Sequence, residues 1–144
     1  STIENALEVS QAKEFVSKMP SGIEEPISQG GTNVSGGQKQ RLSIARALVK
    51  NADIYIFDDT FSALDYHTDA LLREALNKMV KEKHSTVFIV AQRISSIMHA
   101  DKIIVLDQGK IVGNGTHAEL MKNCPVYQEI AYSQLSRKEL AVNE

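Results

Sequence analysis

The sequence has a single cysteine, Cys124, so no disulfide can close within the chain, and the usage suits a reducing cytosol. No apolar run approaches the roughly 20 residues that a membrane-spanning helix needs, and no signal-peptide pattern opens the chain. Neither sign of charge dominates. Lys and Arg number 16 and Asp and Glu 18, a net charge of −2, which gives no electrostatic case for nucleic acid or an anionic membrane surface. The four histidines, His67, His84, His99 and His117, lack metal-ligand spacing and read as surface residues. There is no internal repeat and no low-complexity stretch. What is present is ordinary for a globular protein: 144 residues, 42% hydrophobic and 24% charged, enough for one domain or a large part of one. The first residue is Ser1 rather than Met, which predicts a piece of a longer chain.

The character of the sequence changes near Asn51, dividing it into regions 1–50 and 51–144. Ser1 and Glu4 form a capping-box pair that opens a helix, and a second helical stretch over Ala12 to Lys18 stops at Met19-Pro20-Ser21-Gly22. Pro26 to Gly37 is a loop rich in Gly, Ser and Asn. From Gln38 the pattern is helical, with Leu42, Ala45, Leu48 and Val49 on one face. Strands and helices then alternate. Ile54 to Phe57 is continuously apolar, as a parallel strand covered on both faces would be. Leu71, Leu72, Ala75, Leu76 and Met79 form a helical stripe, Thr86 to Ala91 a second buried strand, and Ser95 to Ala100 a short helix. Ile103 to Leu106 and Lys110 to Val112 flank Asp107-Gln108-Gly109 as a hairpin. Thr116 with Glu119 caps the next helix, and a last one starts near Pro125. This order predicts an α/β fold with a mostly parallel sheet.

Two constellations carry chemistry. Ser35-Gly36-Gly37-Gln38 stands at a helix start, where unpaired N–H groups and the positive end of the helix dipole suit an anion. The glycines let a phosphate approach the backbone, and Ser35 and Gln38 add polar groups. A plain glycine turn with a serine cap accounts for those four letters about equally well. Asp58 and Asp59 follow the apolar strand at its carboxyl end, where ligands bind in open α/β sheets. Mg²⁺ is commonly held there by one or two carboxylates with phosphate oxygens. The alternative, a helix cap or solvated turn, is commoner for one Asp than for such a pair.

Asn33-Val34-Ser35-Gly36-Gly37-Gln38-Lys39-Gln40-Arg41 resembles the signature motif of ABC-type ATPases, with Val34 where Leu is usual. Ala45-Arg46-Ala47-Leu48 continues that family's helix, Ile54 to Asp58 resembles the Walker B strand, and Ser62-Ala63-Leu64-Asp65 the D-loop. Val90-Ala91-Gln92-Arg93 stands at the switch loop, and Ile103 to Gly115 resembles the closing hairpin. The motifs come in family order and span nearly the whole chain. The resemblance implies part of a P-loop NTPase core (RecA-like ABC ATPase), preceded by part of the helical subdomain. It also implies a head-to-tail dimer with a second ABC nucleotide-binding domain, in which Ser35, Gly36, Gly37 and Gln38 touch the γ-phosphate of ATP held by the partner. Asp58 would hold Mg²⁺ through water in the chain's own site. Asp65 would communicate across the interface, or simply cap the following helix. A transmembrane domain of the same exporter, of a multidrug or lipid kind, would complete the machine at the cytoplasmic face of the cell membrane, and nucleic acid is not an expected partner.

Three positions depart from the family pattern. Asp59 stands where the water-polarising Glu is usual, its carboxylate set back by roughly 1.5 Å, one C–C bond. Gln92 stands at the switch position usually held by His, and it cannot titrate near neutral pH. Gln29 replaces a Glu usual in the loop before the signature. The first two weaken one catalytic site while the signature stays intact, as in the degenerate-site subunit of heterodimeric exporters. The chain also contains no G-x-x-x-x-G-K-S/T phosphate loop, no Gln loop and no upstream adenine-binding aromatic, so alone it should bind ATP poorly. Without those neighbours its strands should expose an apolar face, and the chain should associate. A non-hydrolysing regulatory module stays open as an alternative. A chromosome-maintenance or DNA-repair ATPase fits less well, for want of heptads and a basic patch.

Overall fold

Gln11 sets the first break, taking a φ of 58° between helices α1 (Thr2–Val9) and α2 (Lys13–Ser17). The computed structural model describes residues 2–134, so Ser1 and its expected capping role lie outside the described residues. α2 ends before Met19, and Gly22 turns the chain with a φ of 54°. The segment from Pro26 contains a 3-10 turn at Gln29–Gly31 and is tied by Asn33, whose Oδ1 accepts the Ser28 N–H (3.0 Å) and whose Nδ2 donates to the Pro26 carbonyl (3.0 Å). There follow α3 (Gly36–Val49), β1 (Ile54–Asp58), α4 (Tyr66–Lys83), β2 (Thr86–Val90), β3 (Ile103–Asp107), β4 (Lys110–Gly115), α5 (His117–Asn123) and α6 (Pro125–Gln134). The helix expected over Ser95 to Ala100 is instead a 3-10 turn, Ile94–Ser96, whose continuation closes with short-range bonds such as Ile97 N–H to Ile94 O and Ala100 N–H to Ile97 O, both 2.9 Å.

The chain forms two compact units, one ending at Val90 and the other beginning at Ala91. The change of sequence character at Asn51 therefore falls inside the first unit, where residues from both sides of it share one core. In that unit β1 and β2 pair in parallel, from Ile54 opposite Thr86 to Asp58 opposite Val90. Alternation along β1 sends Tyr55 and Phe57 into a core with Leu7, Ala12, Ile44, Leu48, Leu72 and Leu76. The apolar stripe of α3 is rotated from its expected place: Ile44, Ala45 and Leu48 are buried, Leu42 is half-buried, and Val49 is 39% exposed. Helix α1 packs along α3 and sets that rotation.

The opposite sheet face corrects the expectation of strands covered on both sides. Ile54, Ile56, Phe88 and Val90 are 58%, 70%, 51% and 56% exposed. A continuously apolar run reads the same whether its second face is covered or open. The bare apolar face is the one anticipated for strands lacking neighbours, and such faces invite association.

In the second unit β3 and β4 form an antiparallel hairpin through Gln108 (φ 45°) and Gly109 (φ 76°), a pair of positive values that suits a tight two-residue turn. Thr116 caps α5 as expected: its Oγ1 accepts the Glu119 N–H (3.3 Å) and its own N–H donates to Glu119 Oε2 (2.7 Å). Gly113 is required by packing, since a Cβ there would lie 2.8 Å from Cys124 Sγ. Ile94, Ile103, Val105, Leu120, Cys124, Tyr127 and Ala131 make the core.

His67, His84 and His99 are exposed, but His117 is buried, contrary to the surface reading. Its Nδ1 is 2.8 Å from the Tyr127 hydroxyl, a contact ten residues away that no ligand spacing could disclose. Burial, and then the neighbouring His99, lower the pKa of His117, while burial pushes the Tyr127 phenol up to about 12. A lowered histidine pKa means the unfolded chain binds the proton more tightly. Stability from neutral His117 is therefore complete above about pH 6.5 and is lost as pH falls through the lower folded value. Denaturant midpoints followed from pH 7.5 to 5 should fall for the wild type and fall less for His117→Gln. Parallel profiles would contradict this assignment.

Candidate functional site

The Ser35–Gln38 segment is built as a helix terminus. Ser35 has an extended conformation (φ −67°, ψ 162°), its Oγ accepts the Gln38 N–H (3.2 Å), and its N–H donates to Gln38 Oε1 (2.9 Å). This reciprocal box uses one acceptor of each side chain and leaves the Ser35 hydroxyl hydrogen and the Gln38 amide hydrogens as donors. The two glycines differ. A Cβ on Gly37 would press the Ala63 carbonyl oxygen at 3.2 Å, so Gly37 is demanded by packing. A Cβ on Gly36 would make only an ordinary 3.8 Å contact with Ala63 Cβ. Packing around position 36 therefore does not require glycine.

Asp58 ends β1 on the open sheet face, in phase with Ile54 and Ile56, and is exposed. Asp59 extends the ladder by donating its N–H to Val90 O (3.2 Å), then turns the chain with a φ of 48°, a left-handed conformation that aspartate enters more readily than most residues. Both carboxylates face solvent at the carboxyl end of a parallel pair. Among the described residues there is no group of three or more His, Cys, Asp or Glu that could hold a metal alone. The donor set fits a hard cation that takes one or two carboxylates and completes its shell with phosphate and water.

Asp65 is the N-cap of α4: its Oδ1 accepts the Thr68 N–H (2.9 Å) and its Oδ2 the Thr68 hydroxyl (2.7 Å). Those bonds, the backbone one first, hold its carboxyl below the usual range. The capping role is thus occupied in full. Gln29 lies exposed in the 3-10 turn before α3.

One residue escaped sequence reasoning in this unit. Gln40, one turn into α3, accepts the Ala63 N–H at Oε1 (3.0 Å) and donates from Nε2 to Ser62 Oγ (3.2 Å). The structure therefore brings the signature-like helix and the 59–65 segment together. Arg41 turns the other way, donating to Gln11 O (2.8 Å) and lying 4.7 Å over the Phe15 ring.

Gln92 belongs to the second unit, where its side chain is exposed. Its carbonyl accepts Nε2 of Gln134 (2.8 Å), and Oε1 of Gln134 accepts the Ile94 N–H (2.9 Å). The last described residue of α6 thus fixes the backbone on either side of Arg93. Gln134 gave no sequence signal, since its partners lie about forty residues away.

A capped, glycine-opened helix and an acidic strand end, joined in one α/β unit through Gln40, are built as in part of a P-loop NTPase core. The family profile described as ABC transporter matches residues 2–62. An uncharacterised ABC transporter ATP-binding protein of Mycobacterium tuberculosis is 50% identical over 90% of this chain and 22% of its own length. The ATP-dependent lipid A-core flippase of Photobacterium profundum is 43% identical over 94% of the chain and 22% of its own. The structure of a bacterial Atm1-family ABC exporter with ATP bound matches with a TM-score of 0.88 and 33% identity, over 94% of this chain and 24% of that one. The chain is thus similar to ABC transporter ATP-binding proteins over 90% or more of its own length. It spans about a fifth of the length of the curated relatives it matches. Among the described residues no helix is long and apolar enough to cross a membrane.

Proposed function

We propose that this chain forms the signature-bearing part and the second half of the ATP-binding domain of an ABC-type exporter. In this reading it works at the cytoplasmic face of a membrane with a transmembrane domain and a second nucleotide-binding domain. The observation that carries the reading is the pairing, in one unit, of the Ser35–Gln38 helix terminus with the strand end bearing Asp58 and Asp59. The name of one relative, an ATP-dependent lipid A-core flippase, favours an amphiphilic cargo.

Each residue's part follows from its chemistry. Ser35 and Gln38 offer side-chain donors, and Gly36 an unobstructed backbone, to the γ-phosphate of ATP held by the partner domain. Asp58 would hold Mg²⁺ through water in the chain's own site, and the cation when bound neutralises phosphate charge. Asp59 orients the attacking water, and Gln92 donates a hydrogen bond to phosphate without carrying charge. Asp65 caps α4 and, in the dimer, lies in the D-loop contact. The short reach of Asp59 and the neutrality of Gln92 support a degenerate own site in a heterodimer, with the partner's site turning over.

The sequence contains no phosphate loop, so the isolated chain should bind Mg-ATP no more than weakly, and the full-length transporter carrying it should hydrolyse ATP. Isothermal titration of the first and a phosphate-release assay of the second check both statements. Micromolar binding by the isolated chain, or a full-length protein without ATPase activity, would remove the basis of the proposal.

A further inference from the structure

Gln40 joins the start of α3 to the loop leading away from β1 by two hydrogen bonds. Its amide orientation is fixed by its partners, because the Ala63 N–H requires an acceptor and only Oε1 can supply one. Nε2 then points at Ser62 Oγ (3.2 Å), and the Ser62 hydroxyl donates onward to the carbonyl of Asp59 (3.0 Å). The three bonds run head to tail, from the Ala63 N–H through the Gln40 amide and the Ser62 hydroxyl to the Asp59 carbonyl, so each polarises the next. The contact is tight as well as polar, since a Cβ on Gly37 would meet the Ala63 carbonyl at 3.2 Å. Asp59, at the far end, is held in a left-handed conformation (φ 48°) that its neighbours must maintain.

We infer that Gln40 is a positioning residue that locks the signature helix and the Asp59–Asp65 loop into one body, so that the element facing the partner's ATP and the carboxylate of the chain's own site move together. This rests on the functional reading above, but the linkage itself is a property of the nucleotide-free chain. Geometry explains the consequence. A phosphate that pulls on the Ser35–Gln38 terminus displaces α3, and the fork at Gln40 transmits the displacement to Ser62, Ala63 and the Asp59 carbonyl. Neither Gln40 nor Ser62 need touch nucleotide for this.

The test uses the full-length transporter carrying Gln40→Leu, Gln40→Glu, Ser62→Ala and the Gln40→Leu/Ser62→Ala pair. In the nucleotide-free protein, Gln40→Leu should speed amide exchange at Ala63 by about fivefold or more, the value of one ordinary hydrogen bond. In the ATPase assay it should lower kcat by roughly ten- to a hundredfold with KM for ATP nearly unchanged, as expected when the Ser35–Gln38 terminus is misplaced by about 1 Å against the partner's ATP. Gln40→Glu keeps the acceptor for Ala63 and should recover most of the exchange protection, and the double variant should lose no more than the worse single one. Unchanged exchange at Ala63 overturns the linkage. Faster exchange with wild-type kcat, or a lowered Tm with normal kcat per folded molecule, leaves a packing role only and overturns the coupling. Should Gln40→Leu fail to fold, Ser62→Ala and Gln40→Glu decide the same points. A wild-type transporter without ATPase activity would defeat the functional reading, while the exchange measurement would still judge Gln40.

Discussion

Replacing Gly36 by aspartate in the full-length transporter is expected to remove most ATP turnover while leaving nucleotide bound at both phosphate loops. The reason begins with the helix terminus. α3 opens with Ser35 as cap, and its first N–H groups and dipole face whatever anion lies beyond. A carboxylate at 36 would occupy the approach path and set a negative charge against a negative γ-phosphate. Removing one preorganised donor from a transition-state anion costs on the order of 10²–10³ in rate, and adding repulsion should reach at least that. The position separates chemistry from folding. A side chain at 36 meets only Ala63 Cβ at 3.8 Å, whereas one at 37 would collide with a carbonyl oxygen at 3.2 Å. Gly36→Ala is therefore a clean control, with stability unchanged or raised by up to about 1 kcal/mol through a less flexible unfolded chain. Steady-state phosphate release and equilibrium nucleotide binding, measured on both variants, check the expectation. Turnover near the wild-type level in Gly36→Asp would mean that this helix terminus does not face ATP.

What was legible in the sequence was what neighbouring residues decide among themselves. Thr116 and Glu119, three positions apart, form the cap read for them, and Ser35 caps α3, as one of the two readings of its segment has it. The hairpin at Gln108-Gly109 is equally local. The strand Ile54–Asp58 was visible as an apolar run, but its one-sided burial was not, because the letters Ile54 and Ile56 carry no record of what stands opposite them. Gln40, His117 and Gln134 were missed for one physical reason. Each is defined by a partner between ten and forty-two residues away, brought close only by the fold. Glutamine on a helix surface is read as solvated polarity. Only the position of Ala63 and Ser62 turns Gln40 into a fork. Asp59 combines both cases: its place at the carboxyl end of the strand was readable, but its left-handed backbone was not.

That backbone bears on the second large effect, which concerns the carboxylate pair. Asp59→Asn is expected to change total turnover little, whereas removing the equivalent carboxylate in the partner domain should nearly stop it. With Asp58 at the end of β1 as the proposed holder of Mg²⁺, occupancy of this site by Mg-ATP should be near normal. Asp59 is shorter than the usual glutamate by roughly 1.5 Å, and a misplacement of about 1 Å in a reacting group can cost on the order of a hundredfold. In the proposed site Gln92 would supply a hydrogen bond where histidine could also bring charge to the developing transition state. In the proposed degenerate site both changes would act on one reaction, so their effects need not add. The combined reversal Asp59→Glu with Gln92→His should therefore raise hydrolysis more than either change alone. Its gain is limited by the φ of 48° at position 59, which glutamate adopts less readily than aspartate. Single-site hydrolysis in heterodimers, with the partner's site disabled, measures that gain directly. If Asp59→Asn alone stops turnover as completely as the partner's variant, Asp59 is a working catalytic carboxylate. The transporter is then symmetric in its chemistry, because the 1.5 Å is recovered by movement of the Asp59–Asp65 loop that Gln40 holds.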